Sequence, residues 1–218
     1  MKRKIIRSLA AILALSLCLS ITALAADQPD LWAQNEVRQA IASGLVPQDM
    51  QNNYQDDISR LDFCVLMVTM LRKYNPTIVT QAARNASNPF TDTNDQNVAI
   101  AYKLGIVSGV SDTEFNPSGD ISRQEAATML KRAAVAVGIN LPGAAATSFS
   151  DYASIADWAR PAVNFVNSYN IMKGIGSNLF SPNGPYTREE AYITSIREYN
   201  FLLLAQYFIL SGGQLPIG

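Results

Sequence analysis

Apolar side chains recur three and four residues apart in several stretches of the chain, and such stretches predict helices. Phe63, Leu66, Met67, Met70 and Leu71 mark one helical face. Ala126, Met129, Leu130, Ala133, Ala134 and Val137 mark a second. A third, less regular face carries Tyr192, Ile196, Tyr199 and Leu203. A shorter helix is expected ahead of each: roughly Asp30 to Ser43, with Val37, Ala40 and Ile41 in register, then Asn94 to Leu104 and Ile155 to Tyr169. Each pair reads as helix, loop, helix, so the expected fold class is all-α.

The three pairs are copies of one unit. Ile58-Ser59-Arg60-Leu61-Asp62, Ile121-Ser122-Arg123-Gln124-Glu125 and Tyr186-Thr187-Arg188-Glu189-Glu190 open the second helices. Ser122 with Glu125, and Thr187 with Glu190, form capping boxes, and Ser59 with Asp62 is a shortened variant. Ahead of them, Gly105-Ile106-Val107-Ser108-Gly109 leads to Phe115-Asn116-Pro117 and Gly119. Asn170-Ile171-Met172-Lys173-Gly174 leads likewise to Phe180-Ser181-Pro182 and Gly184, at a constant offset of 65 residues. The first copy is degraded: Gly44-Leu45-Val46 runs to Tyr54 and Ile58 over a loop two residues shorter, without the proline. Trp32 and Trp158 lead the first helices of copies one and three, and Thr93 holds that place in copy two. Phe90-Thr91-Asp92 and Phe149-Ser150-Asp151 are matching turns. Glycine or asparagine after each first helix suits a left-handed cap.

The start of the chain reads differently. Lys2, Arg3, Lys4 and Arg7 precede an apolar run from Leu9 to Ile21, followed by Ala23-Leu24-Ala25. That order is a secretory signal peptide, too short in its apolar part to span a membrane. Leu17 before Cys18, where a small residue would be needed, argues against lipidation. The expected layout is signal peptide 1–25, repeat one 26–75, linker 76–89, repeat two 90–138, linker 139–148, repeat three 149–211 and tail 212–218. Both linkers are rich in turn-forming and small residues.

Composition narrows the chemistry. The 218 residues include 17 basic and 18 acidic side chains; removing the first 25 takes away four basic ones and moves the formal charge from −1 to −5. An acidic chain without a basic excess is a poor binder of nucleic acid. There is no histidine, which removes His-based triads and His metal sites, and no cofactor or metal is expected. Cys64 lies in an apolar run and reads as a buried small residue.

The recurring arginine is the residue that capping does not explain. Arg60, Arg123 and Arg188 stand at the first helical position, where the helix dipole disfavours a cation. One reading pairs each with a nearby carboxylate. The other is an anion site, in which an exposed guanidinium and helix amides hold a carboxylate while Trp32 and Trp158 offer flat faces to a sugar. In the second reading the arginine contributes little to folding. Core packing is the alternative for the tryptophans.

Taken together, these motifs resemble S-layer homology (SLH) repeats over nearly all of Asp27 to Leu210. The resemblance implies an all-α, pseudo-threefold bundle of three helix-loop-helix repeats whose second helices meet centrally. It implies grooves that hold secondary cell-wall polysaccharide, often pyruvylated, or modified peptidoglycan. Arg60, Arg123 and Arg188 match the family's sugar-contacting arginine, Trp32 and Trp158 its groove tryptophan, and Gly109 and Gly174 the loop glycine that lets backbone approach the ligand.

The expected function is a secreted, monomeric, non-catalytic protein anchored to cell-wall glycan, with no membrane span once the signal is cleaved. One alternative is an enzyme on wall polymers using carboxylates such as Asp151 and Asp157. Another is an adaptor that has lost glycan binding and holds a protein partner.

Overall fold

The computed structural model describes residues 27–141 and 146–212. The signal-peptide segment 1–25, part of the second linker and the end of the tail lie outside those residues. Seven α-helices lie within them: α1 Gln34–Ala42, α2 Arg60–Tyr74, α3 Pro76–Arg84, α4 Gln96–Lys103, α5 Arg123–Ala136, α6 Arg160–Ser168 and α7 Arg188–Ser211. The only extended pairing among the described residues is two isolated bridges, Asp57 with Thr187 and Ser59 with Asp120. The all-α expectation holds.

The second helices begin where the caps put them. Ser59, Ser122 and Thr187 accept from the backbone N–H of Asp62, Glu125 and Glu190, and the latter two boxes are reciprocal. Each cap satisfies amides that have no intrahelical partner, worth ~1 kcal/mol apiece. The faces foreseen on α2 and α5 are buried, except that Val137 falls just past the end of α5 and is half-buried. On α7 the pattern holds at Tyr192 and Ile196, but Leu203 is 44% exposed. The first helices are shorter than expected. Trp32 and Trp158 lie in turns ahead of α1 and α6 rather than inside them, and Pro161 falls in the first turn of α6. At their far ends Gly44, Gly105 and Asn170 take φ of 66°, 72° and 55°, the left-handed cap.

One element corrects the linker reading. Residues Pro76–Arg84 form α3, capped by the side chain of Asn75 with proline in the first turn. Val79 and Ala82 bury against α2 and α4, which gives this β-branched stretch its helix by packing rather than propensity.

The copies interlock. Each first helix packs on the second helix of the preceding copy: α4 on α2, α6 on α5, and α1 back on α7. α2 lies against both α5 and α7. Around the helix starts the chain pairs with itself in the same sense. Arg60 N–H donates to Gly119 O at 2.8 Å, Gln124 N–H to Pro182 O at 3.0 Å, and Arg188 N–H to Asp56 O at 2.9 Å. The core is one cluster shared by all three copies.

The same bonds correct the register of copy one. Leu61 donates to Pro117 O and Glu189 to Tyr54 O, so Tyr54 holds the proline place and Asn52 the phenylalanine place. Asn53, Asn116 and Ser181 confirm this with φ of 50°, 60° and 58°. A short turn of helix at Gln48–Met50 replaces the glycine loop of the other copies.

Candidate functional site

The three arginines are the centre of the arrangement; Arg60 and Arg123 are buried and Arg188 nearly so. Arg60 is 8% exposed and Arg123 3%. Arg60 donates Nε–H to Phe115 O at 3.0 Å, Nη2–H to Ser108 O at 3.3 Å and Nη1–H to Glu125 Oε1 at 3.0 Å. Arg123 repeats this with Phe180 O, Lys173 O and Glu190 Oε1 at 2.8, 2.7 and 3.0 Å. Arg188 repeats it with Asn52 O, Met50 O and Asp62 Oδ2 at 3.1, 3.0 and 2.5 Å. Each guanidinium therefore binds the loop of the next copy and the carboxylate in the first turn of that copy's second helix. The ring of contacts runs one to two, two to three, and three to one. Of five guanidinium N–H groups, two remain free of these bonds. Arg60 also lies over Phe115 at 5.1 Å and Arg123 over Phe180 at 5.3 Å, whereas Asn52 gives Arg188 no such ring.

The loops that receive the arginines are held from below. Asp92 accepts the N–H groups of Phe115 and Asn116, and Asp151 those of Phe180 and Ser181. Asp27 accepts from Asn53 in the first copy. These backbone bonds hold the Asp92 carboxyl below its usual range. Asp157 pairs with Arg160 at 2.6 Å. The two carboxylates raised for acid and base chemistry thus each have a structural partner.

Gly109 and Gly174 lie at the same place in their loops. A Cβ on Gly109 would stand 2.5 Å from Glu114 O and 2.6 Å from the Phe90 ring, and one on Gly174 2.8 Å from the Phe149 ring. Close packing on the protein's own aromatic side chains is reason enough for glycine at both.

Two equivalent clefts open beside these loops. One, about 270 Å³, is lined by Arg60, Gly109, Glu125, Thr128, Arg132 and Trp158. The other, about 220 Å³, is lined by Trp32, Arg123, Gly174, Glu190, Thr194 and Arg197. Trp32 is 61% exposed and Trp158 58%, so neither is core. Each cleft draws on all three copies, with the arginine from one, the loop from the next and the tryptophan from the third. The residues that make copy three look complete are therefore dispersed: Trp158 stands beside Arg60, Gly174 beside Arg123, and Arg188 with Met50 and Asn52. At the third position Tyr192 donates to Met50 O and packs edge-on against Tyr54, with 6.1 Å between ring centres.

Arg132 and Arg197 escaped the sequence reading. They stand nine residues after Arg123 and Arg188, so the 65-residue offset that ties Gly105 to Asn170 runs on to them. The same step from Arg60 reaches Thr69.

Cys64 is buried, its Sγ 3.7 Å from Asn97 O, and burial pushes its thiol well above the usual range. Among the described residues no cluster of three Cys, Asp or Glu side chains is placed to hold a metal ion, and no helix is long and apolar enough to cross a membrane.

The family model of the S-layer homology domain matches residues 89–127 and 148–191. The chain is 27% identical over 173 residues to the exoglucanase XynX of Acetivibrio thermocellus, covering 76% of this chain and 15% of that protein. It is 27% identical to an amylopullulanase of Thermoanaerobacterium thermosulfurigenes over 76% of this chain and 9% of that one. It is 26% identical to the surface-layer 125 kDa protein of Lysinibacillus sphaericus over 73% and 13%. The chain thus spans less than a fifth of the length of these relatives. The chain therefore carries two segments of the S-layer homology domain, residues 89–127 and 148–191.

Proposed function

We propose that this protein is exported and anchors at the bacterial surface by holding cell-wall polysaccharide, non-covalently and as a monomer, in the two clefts beside Trp32 and Trp158. At the family level the S-layer homology domain is a wall-anchoring module. The observation that carries the reading for this chain is the pair of solvent-exposed tryptophans. Each stands over a concave surface with guanidinium groups and loop backbone, the combination that suits a sugar ring bearing a carboxylate. In this reading Trp32 and Trp158 stack on sugar. Arg60 and Arg123 offer their free N–H groups from the cleft floor, and the backbone at Gly109 and Gly174 lies along the ligand. Arg188 acts mainly in the fold, since Met50, Tyr54 and Tyr192 close in beside it. With Asp151 and Asp157 engaged structurally, we read the chain as a binder and not a catalyst.

Sedimentation with purified walls tests this. The protein should pellet with intact walls and stay in solution once the non-peptidoglycan polymer is stripped with acid. Pelleting with stripped walls as well moves the ligand to peptidoglycan; no pelleting with either ends the anchoring reading. Trp158→Ala should weaken binding by about tenfold while stability changes by less than about 0.5 kcal/mol, as expected for a mostly exposed side chain. Wall titrations beside thermal melts give both numbers.

A further inference from the structure

The two clefts share a plan but not an electrostatic state. In the Trp32 cleft, Arg197 is already bound: its Nε and Nη2 donate to Oε1 and Oε2 of Glu36 at 2.7 and 2.6 Å. Glu36 lies four residues beyond Trp32, in the first turn of α1. This bidentate fork is the geometry in which a guanidinium holds a ligand carboxylate. The residue four beyond Trp158 is Ala162, which has no side chain to do the same. Arg132 accordingly makes no ion pair among the described residues, and its Nη1 donates to Ser108 Oγ at 3.3 Å.

The surroundings differ in the same direction. Trp158, Thr128 and Arg132 also wall a neighbouring cleft of about 480 Å³ that includes Lys131. Trp32 also walls one that contains three carboxylates, Asp30, Glu189 and Glu190, against one guanidinium, Arg123. The Trp32 cleft does have Lys173 at its rim, but an ammonium is a strongly hydrated point charge without a fork.

We propose that the Trp158 cleft is the carboxylate-selective site, with Arg132 as its specificity-determining residue, and that Glu36 holds the corresponding arginine of the Trp32 cleft, Arg197, as an internal anion. The Trp32 cleft then takes uncharged sugar, and takes acidic sugar only after Glu36 is displaced. This rests on the glycan-binding reading above and adds the identity of the selective cleft and the reason the other differs.

The chain has two tryptophans, one per cleft, so each cleft has its own reporter. Trp32→Phe leaves emission from the Trp158 cleft alone, and Trp158→Phe leaves the other. The probes are a pyruvylated N-acetylhexosamine glycoside and its pyruvate-free parent. Thermal melts establish that each variant is folded. In Trp32→Phe the acidic probe should titrate at ten- to a hundredfold lower concentration than in Trp158→Phe, and the neutral parent should show no such preference. Arg132→Ala in the Trp32→Phe background should remove the preference, and Arg132→Lys should restore only part of it. Glu36→Gln in the Trp158→Phe background should raise affinity for the acidic probe towards that of the other cleft.

Equal titration of both clefts by the acidic probe overturns the proposal, as does an Arg132→Ala variant that keeps the preference. No gain in Glu36→Gln overturns the internal-anion half. If neither probe binds while walls still pellet the protein, the carboxylate assignment falls and wall anchoring stands.

Discussion

Arg188 Nη1 lies 2.5 Å from Asp62 Oδ2, although 126 residues separate them in the chain. Arg188 opens the last helix and Asp62 sits in the first turn of α2, so this contact closes the ring of copies. The side chains are 11% and 31% exposed. Removing one partner of a largely buried pair leaves the other charge and two carbonyls without their donor. Arg188→Ala should therefore lower stability by about 2–4 kcal/mol, well above the effect of an exposed helix-start arginine. Urea denaturation measures it. A loss under about 0.5 kcal/mol would show that the closing contact is dispensable.

Glu198 gives stability an unusual dependence on pH. It is fully buried on α7, neither carboxylate oxygen has a hydrogen-bond partner among the described residues, and burial raises its pKa well above the ordinary value. A raised folded-state pKa means the stabilising contribution is complete below the unfolded value, near 4.3. That contribution is lost as pH rises towards the folded value. The matching positions on α2 and α5 are Met70 and Ala133, both buried. Glu198→Met should raise the melting temperature at pH 7 and change it much less at pH 4. A variant less stable than the parent at pH 7 would show that the carboxylate has a structural partner.

Asp92 has the opposite sign. Its pKa is depressed by the amides of Phe115 and Asn116, so its contribution is present above the unfolded value and fades as pH falls through the folded one. Asp92→Asn should destabilise at pH 7 and converge with the parent near pH 2. Melts across that range separate it from Glu198→Met, whose difference from the parent also widens as pH rises but is a gain in stability and not a loss. A gap that persists at pH 2 would assign the loss to shape and not charge.

The local signals were legible. Ser122 with Glu125 and Thr187 with Glu190 name two helix starts because a capping box involves only residues three apart. The buried faces of α2 and α5 followed from spacing alone. α3 was not legible, since Asn75-Pro76 reads equally well as the end of one helix and the start of another, and only contact with α2 and α4 decides. The clefts were hidden for a deeper reason. A repeat in sequence suggests that its own tryptophan, loop and arginine belong together. The packing of each first helix on the preceding copy separates them, and no spacing within one copy reveals that. The role of the arginines hung on the same fact, because Glu125, Glu190 and Asp62 stand in the first turn of the helix of the copy that the arginine reaches, not the one it starts.

Because the clefts at Arg60 and Arg123 each draw on three copies, wear in one copy is diluted. The altered loop of copy one spoils the position beside Arg188, yet its Trp32 still serves the cleft at Arg123 and its Arg60 the cleft at Trp158. Copy two has no tryptophan to give, yet its loop still borders Trp158. A duplicated gene segment whose copies shared nothing would lose one whole site for each copy that drifted. Here two worn copies and one intact one still leave two sites with a tryptophan and a guanidinium each, and excision of any single copy would break all of them at once.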